Sequence, residues 1–251
     1  MPHRPSLARR GLIAAGLLAL ATTAVQAKPL TIPPADIPRL VDQAATAQGF
    51  APAGWALEEQ ATGDLNGDGR ADLALVFHGQ DPALIVENRD GLGERRLDTN
   101  PRLLALAFAE AGGGYRLALQ DAALIGRRID PVFADPYDKG GISVARGALR
   151  LTLVRWASAG SYGAENRSLT FRWQEGRFML IGYDQSTTQR NTGATEALSV
   201  NYSTGRASIE TGTIESEATR KRWVTLTQRP LLALPQVGYG LDFRHGVPGV
   251  D

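Results

Sequence analysis

The stretch "GDLNGDGRADLALV", residues 63–76, sets three aspartates and an asparagine among glycines and then runs directly into apolar residues. The oxygen-bearing side chains fall at alternate positions: Asp64, Asn66 and Asp68, followed by Asp72. Calcium takes six to eight oxygen ligands, and a loop that offers oxygens at positions 1, 3, 5, 7 and 9 can wrap it. Asp64, Asn66 and Asp68 occupy positions 1, 3 and 5. The backbone carbonyl of Arg70 takes position 7, and Asp72 takes position 9, directly or through water. Gly69 at position 6 suits the sharp turn. Three carboxylates in so small a loop repel one another unless a cation sits among them. Magnesium demands stricter octahedral geometry and keeps its waters, so calcium is the expected cofactor.

Two features separate this loop from a helix–loop–helix calcium switch. Position 12 is Leu75, which supplies no bidentate carboxylate, and "DLALVF" (72–77) reads as a buried strand. A strand–loop–strand clip is the expectation. The plainer alternative is a surface loop of Asx turns that binds no ion. Asn-Gly and Asp-Gly alone would suit it, whereas the full D-x-N-x-D-G-x-x-D spacing favours the cation. Extracellular calcium modules bind at about 10⁻⁴ to 10⁻³ M, which suits a structural staple.

Outward from the loop, the flanking segments define the fold class. On the N-terminal side, "KPLTIPPADIP" (28–38) reads as an extended lead-in. Ile37, Leu40, Val41 and Ala44 then recur at helical spacing, with Asp36 as a cap and Gly49 as a stop, which predicts an amphipathic helix over 37–48. On the C-terminal side, "ALIVEN" (83–88) reads as a strand. "RLLALAFAEAGGGYRLALQD" (102–121) reads as a hairpin about Gly112–Gly114, although its Leu and Ala residues favour helices. From residue 142 onward the alternation is clearer. "ALRLTLVRWA" (148–157), "SLTFRWQEGRFMLIGYD" (168–184), "ALSVNYSTGRASIET" (197–211) and "KRWVTLTQR" (221–229) all read as strands, with "QEGR" and "STGR" as hairpin turns. The expected class is α+β, mostly β. An N-terminal helix and calcium-clipped strands (28–125) precede an antiparallel β part (126–251) in a single compact domain. The loop occurs once and no longer repeat is visible, which argues against a full propeller.

The opening residues carry a different signal. Arg4, Arg9 and Arg10 precede the apolar run 11–25, and "VQA" (25–27) places small residues for cleavage after Ala27. This reads as a signal peptide over 1–27. The run is short for a membrane span, and cleavage leaves no membrane anchor. Arg9-Arg10 suits twin-arginine as well as general export. A periplasmic or secreted location follows, where disulfides are permitted. The chain has no cysteine, which excludes disulfides, thiolate zinc sites and cysteine nucleophiles and leaves a metal ion as a candidate staple. The formal charge of the 251 residues is +1, so no footprint for nucleic acid is present.

At residues 63–76 the chain resembles the FG-GAP and VCBS-type repeats of integrin-like β-propeller proteins, which carry such a loop between two strands. More widely it is similar to exported bacterial proteins of unassigned function that share this single loop. The segments that carry the likeness are Pro52-Ala53-Gly54-Trp55, residues 63–76, Asp135-Pro136, "LTFRWQEGRFMLIGYD" and "LSVNYSTGR". The resemblance implies a metal role for Asp64, Asn66, Asp68, Arg70 and Asp72. It implies no activity.

Catalytic signatures are weak. No G-x-S-x-G elbow, phosphate loop or dinucleotide fingerprint occurs. His78 and His245 stand in no recognisable triad setting. The expected function is therefore that of a non-enzymatic calcium-binding protein, acting as a binding or interaction module on a protein or glycan partner in the cell envelope. The alternative is an envelope hydrolase acting on glycan or peptidoglycan through paired carboxylates. Asp130, Asp135 and Asp138 in "RIDPVFADPYDKGG" are its candidates, although Asp-Pro is also ordinary turn chemistry. Trp55, Trp156, Trp173 and Trp223 read mainly as core residues. Trp156 with Tyr162, beside "ASAGSYGAEN", is the best candidate for a ligand-facing rim.

Overall fold

Apolar residues in this chain alternate in some segments and run unbroken in others, and the computed structural model shows why. It describes residues 30–227 and 230–250; the expected signal peptide lies outside them. Among the described residues fourteen strands form: β1 (Gln43–Ala44), β2 (Trp55–Gly63), β3 (Asp72–Gly79), β4 (Ile85–Glu87), β5 (Arg96–Asp98), β6 (Arg102–Ala109), β7 (Tyr115–Asp121), β8 (Gly141–Ala145), β9 (Ala148–Trp156), β10 (Gly163–Gln174), β11 (Arg177–Gln189), β12 (Ala194–Asn201), β13 (Arg206–Thr213) and β14 (Ser216–Thr225). A first, five-stranded sheet has the order β1-β7-β6-β3-β2. A second, seven-stranded sheet runs β14-β13-β12-β11-β10-β9-β8, and β4 pairs with β5. Every pairing is antiparallel.

The second sheet is a meander, because short turns join its strands in sequence order. Arg146-Gly147 between β8 and β9 and Glu175-Gly176 between β10 and β11 all take positive φ, at 52°, 71°, 51° and 73°. Two left-handed central residues match the twist of the flanking strands. The inner face of this sheet buries Leu149, Leu151, Leu153, Leu169, Phe171, Tyr183, Leu198, Val200 and Ile209. They pack in one cluster with Ala74, Val76, Leu104 and Leu106 of the first sheet. Full burial of such side chains stabilises by about 1.5–3 kcal/mol each. Strand β2 runs close against β8, where a Cβ on Gly63 would stand 2.6 Å from Val144 Cγ1.

The central strands of the first sheet, β3 and β6, are buried on both faces. Leu73, Leu75, Phe77, Leu103, Ala105 and Ala107 point away from the second sheet and pack under Leu40 and Phe50. The N-terminal segment is therefore a cover for this sheet.

It is not a helix, which corrects the α+β expectation. The fold is almost entirely β, and among the described residues no helix exceeds the four-residue 3-10 turn Ala47–Phe50. The chain over 37–48 instead passes through the short strand β1 and enters the 3-10 turn at Ala47. Gln43 and Ala44 pair with Arg116 and Tyr115 of β7, and the Leu117 amide donates to Asp42 O at 2.8 Å. Gln120 takes the next groups along, its Oε1 accepting from the Leu40 amide and its Nε2 donating to Pro38 O. Of the helically spaced residues only Leu40 is deeply buried, while Ile37 and Val41 are exposed. An otherwise unpaired edge on β7 and an uncovered sheet face outweigh a weak local preference.

Candidate metal loop and neighbouring sites

The candidate loop connects β2 to β3, so its ends are held by adjacent antiparallel strands, with Gly63 paired to Asp72. Gly67 and Gly69 both take φ of +83°, a conformation that favours glycine. The chain can therefore fold back around its own side chains.

Asp64 sits at the centre of the turn. Its Oδ1 accepts from the amides of Gly67 at 2.7 Å and Asp68 at 3.2 Å, and its Oδ2 from Gly69 at 2.9 Å. Asn66 Nδ2 donates to Asp68 Oδ2 at 2.9 Å, and Asn66 Oδ1 accepts from the Asp68 amide at 3.0 Å. Asp68 Oδ1 accepts from the Arg70 amide at 2.9 Å, and its Oδ2 from Arg70 Nη2 at 2.5 Å. Arg70 Nε donates to Ala109 O at 3.0 Å, which ties the loop to the end of β6. Asp72 is wholly buried. Its Oδ2 accepts from the amides of Leu65 and Asn66, and its Oδ1 from that of Ala109.

The Arg70 amide is the leading reason that the Asp68 carboxyl is held below its ordinary value of 3.8. Desolvation opposes it, and Asn66 and the Arg70 guanidinium reinforce it. All five residues of the sequence-derived set thus meet in one turn, but as a hydrogen-bonded network. Among the described residues no three His, Asp or Glu side chains converge as a metal-binding group. Asp68 is turned onto Arg70, and Asp72 is turned inward.

The donor chemistry nevertheless suits an oxygen-seeking cation. An ionised carboxylate has about four acceptor sites, and Asp64, Asp68 and Asp72 each accept three hydrogen bonds. Each retains about one site. Among the described residues no hydrogen bond reaches the Arg70 carbonyl.

The acidic segment 130–138 extends the second sheet past β8 and pairs along β9, with the Val154 amide donating to Pro136 O at 2.8 Å. Asp130 and Asp135, two of its candidate carboxylates, bond to different partners. Asp130 Oδ1 accepts from the Val132 amide. Asp135 meets a buried cation that sequence reading missed. Arg102, at the start of β6, donates to both Asp135 oxygens at 2.9 and 3.0 Å and to both Glu58 oxygens at 2.6 and 2.8 Å. Burial works to lower the Arg102 pKa, but the two carboxylates outweigh it and keep the guanidinium charged. Tyr137 lies beneath that guanidinium and donates its hydroxyl to Glu59, and burial followed by the Glu59 contact drives its pKa upward. This network joins β2, β6 and the 130–140 segment, so it fastens the two sheets to each other. A single Arg at the head of an apolar run was its one sequence signal. Its carboxylate partners lie 44 and 33 residues away, and no local pattern connects them.

His78 Nδ1 lies 3.8 Å from Glu58 Oε1. His245 Nδ1 accepts from the Val247 amide, and its ring packs by Tyr183. Trp173 packs between Phe108 and Phe178 with both ring centroids 4.9 Å away, as a core residue does. Trp156 and Tyr162 are both exposed, and Arg190 lies over the Trp156 ring at 5.1 Å while donating to Tyr162 O. Trp223 departs from the core expectation. It is exposed on the outer face of β14 beneath Arg206 and Lys221.

A cleft of about 610 Å³ opens between the chain following β7, the end of β9 and residues 239–242. Among its lining residues are Arg127 and Tyr239, neither of which sequence reading singled out. The only local signal was the arginine pair of "GRRID" (126–130).

Comparison of the chain with family models, with curated proteins and with solved structures returns no match.

Proposed function

We propose that residues 63–72 form a structural calcium loop in a non-enzymatic exported protein that acts as a binding or interaction module in the cell envelope. One observation carries the reading. The D-x-N-x-D-G-x-x-D segment folds as a closed turn between two paired strands, and each of its three carboxylates keeps an acceptor site. Asp64, Asn66, Asp68, the Arg70 carbonyl and Asp72 would hold the ion. The ion would supply positive charge at the centre of the turn and oppose the mutual repulsion of the carboxylates. Asp68 is the pivot, because it also pairs with Arg70, at the loop surface.

A ligand that binds the folded state alone raises stability by about 1.4 kcal/mol at tenfold excess over its dissociation constant. Thermal unfolding of the mature chain in calcium chloride and in chelator should therefore show a calcium-dependent gain in Tm. Asp68→Ala should abolish that gain, so that its loss of Tm is larger in calcium than in chelator. Equal losses in both conditions, or no calcium effect in the wild type, would show a loop sustained by its own hydrogen bonds.

The same carboxyl gives a pH signature. A depressed folded-state pKa contributes stability that is fully present above the unfolded value of 3.8 and is lost as pH falls through the folded one. In chelator, the Tm difference between wild type and Asp68→Asn should narrow as pH falls below 3.8. A difference independent of pH would remove Asp68 from that role.

A further inference from the structure

The cleft beside β9 has the features of a ligand site. Its volume of about 610 Å³ lies within the range of about 300–1,000 Å³ typical of small-molecule pockets. Much of its wall is apolar, from Ile129, Phe133, Pro136, Val154, Tyr239 and Leu241. Ile129 is 61% exposed and Phe133 38% exposed, so apolar surface stands open at this place. The far wall is held in position. The Gly240 amide donates to Leu124 O at 3.0 Å, and a Cβ on Gly126 would stand 2.6 Å from Tyr239 Cε2. The tyrosine ring therefore lies against a glycine that no larger residue can replace without moving it.

Three arginines and three acids, counting the neighbouring Glu94, stand in or beside the cleft, and they are only partly paired. Its lining carries three arginines, Arg127, Arg128 and Arg155, against two acids, Asp130 and Asp242. Arg128 pairs with Glu94 at 2.7 Å and Arg155 with Asp242 at 2.9 Å. Arg127 is different. Its Nε donates to Thr99 O, and its Nη2 to Pro33 O and Thr99 Oγ1, all neutral acceptors. Among the described residues no carboxylate pairs with it. Burial without a compensating anion draws its pKa down. The Tyr239 hydroxyl likewise has no hydrogen-bond partner among the described residues, and burial lifts its pKa to about 12, so it stays protonated as a donor.

We infer that this cleft binds a small apolar molecule bearing one carboxylate, with the acid group on Arg127 and the hydrocarbon or aromatic body against Ile129, Phe133 and Tyr239. A carboxylate forms charge-assisted bonds with guanidinium that neutral carbonyls do not match. Apolar surface on the body would cover side chains now open to water. No residue of the 63–72 loop lines the cleft, so this site goes beyond the calcium reading and stands without it.

Decanoate, 4-phenylbutyrate and 1-decanol distinguish the contributions, measured by titration calorimetry on the mature chain. Saturable binding of a carboxylate probe is expected, with decanol at least about tenfold weaker than decanoate. Arg127→Gln should weaken decanoate by about tenfold or more. Because Arg127 also bonds to Thr99 and Pro33, a second variant avoids that contact. Ile129→Asp changes an exposed side chain and places a like charge at the mouth, which should weaken decanoate severalfold while leaving the Tm unchanged. Affinities in chelator should equal those in calcium. Failure of both carboxylates to saturate, decanol binding as tightly as decanoate, or wild-type affinity in both variants would overturn the inference.

Discussion

The two sheets use β structure in opposite ways. Strands β3 and β6 of the first are buried at almost every position, and their interiors, "LALVF" (73–77) and "LLALAFA" (103–109), run apolar without a break. Strands β9 to β13 of the second alternate. Their inward residues build the core shared with the first sheet, while their outer face carries polar pairs such as Thr152 with Ser168 and Arg150 with Asp184. The difference follows from what covers each face. Water meets the outer face of the second sheet, whereas the N-terminal segment covers the corresponding face of the first. A sheet buried on both faces loses the period-two signal, because every side chain is inside. Exposed edges differ as well. β14 carries Arg220, Lys221 and Arg222 on the free edge of the second sheet, where charge discourages pairing with another chain.

That contrast can be broken at its cover. Phe50 is 1% exposed and packs on the outward face of the first sheet. Phe50→Ala should cost about 3–5 kcal/mol in denaturant unfolding. A loss below about 1 kcal/mol would mean that the N-terminal segment is not part of the cooperative core.

A smaller effect is expected at the junction of loop and sheet. Asp72→Ala leaves the amides of Leu65, Asn66 and Ala109 without their acceptor, at a cost of about 1–3 kcal/mol in chelator. Its contrast with Asp68→Ala sharpens the division of labour within the loop. Asp72 anchors the turn whether or not calcium is present, and a loss at Asp72 seen only in calcium would reverse that assignment.

The smallest effect belongs to the outer face of the second sheet. Trp223 is 61% exposed, and Trp223→Ala should change stability by no more than about 0.5 kcal/mol. A large loss on denaturant unfolding would show that this face is covered in solution.

Much of the fold was legible along the chain. The hairpin expected over 102–121 about Gly112–Gly114 forms as β6 and β7. The turns expected at "QEGR" (174–177) and "STGR" (203–206) join the strands that flank them. The five residues of the candidate loop meet in one turn because all lie within nine positions, where spacing alone controls proximity. Arg102 with Glu58 and Asp135 was not legible, since its partners are assembled by sheet packing. Nor was the cleft, whose walls come from residues 122–136, 154–155 and 239–242.

By itself, then, the amino-acid order determined the local matters: alternating strands, left-handed turn residues, and a turn dense in oxygen donors. Tertiary structure decided what residues 37–48 became. Ile37, Leu40, Val41 and Ala44 are spaced for a helix, yet the open edge of β7 and the bare face of Phe77 and Leu103 offered hydrogen bonds and apolar contact only to an extended chain. Helical preference amounts to a few tenths of a kcal/mol per residue, whereas covering a sheet face returns about 1.5–3 kcal/mol for each large side chain buried. The larger energy lies in contacts that no window of sequence contains.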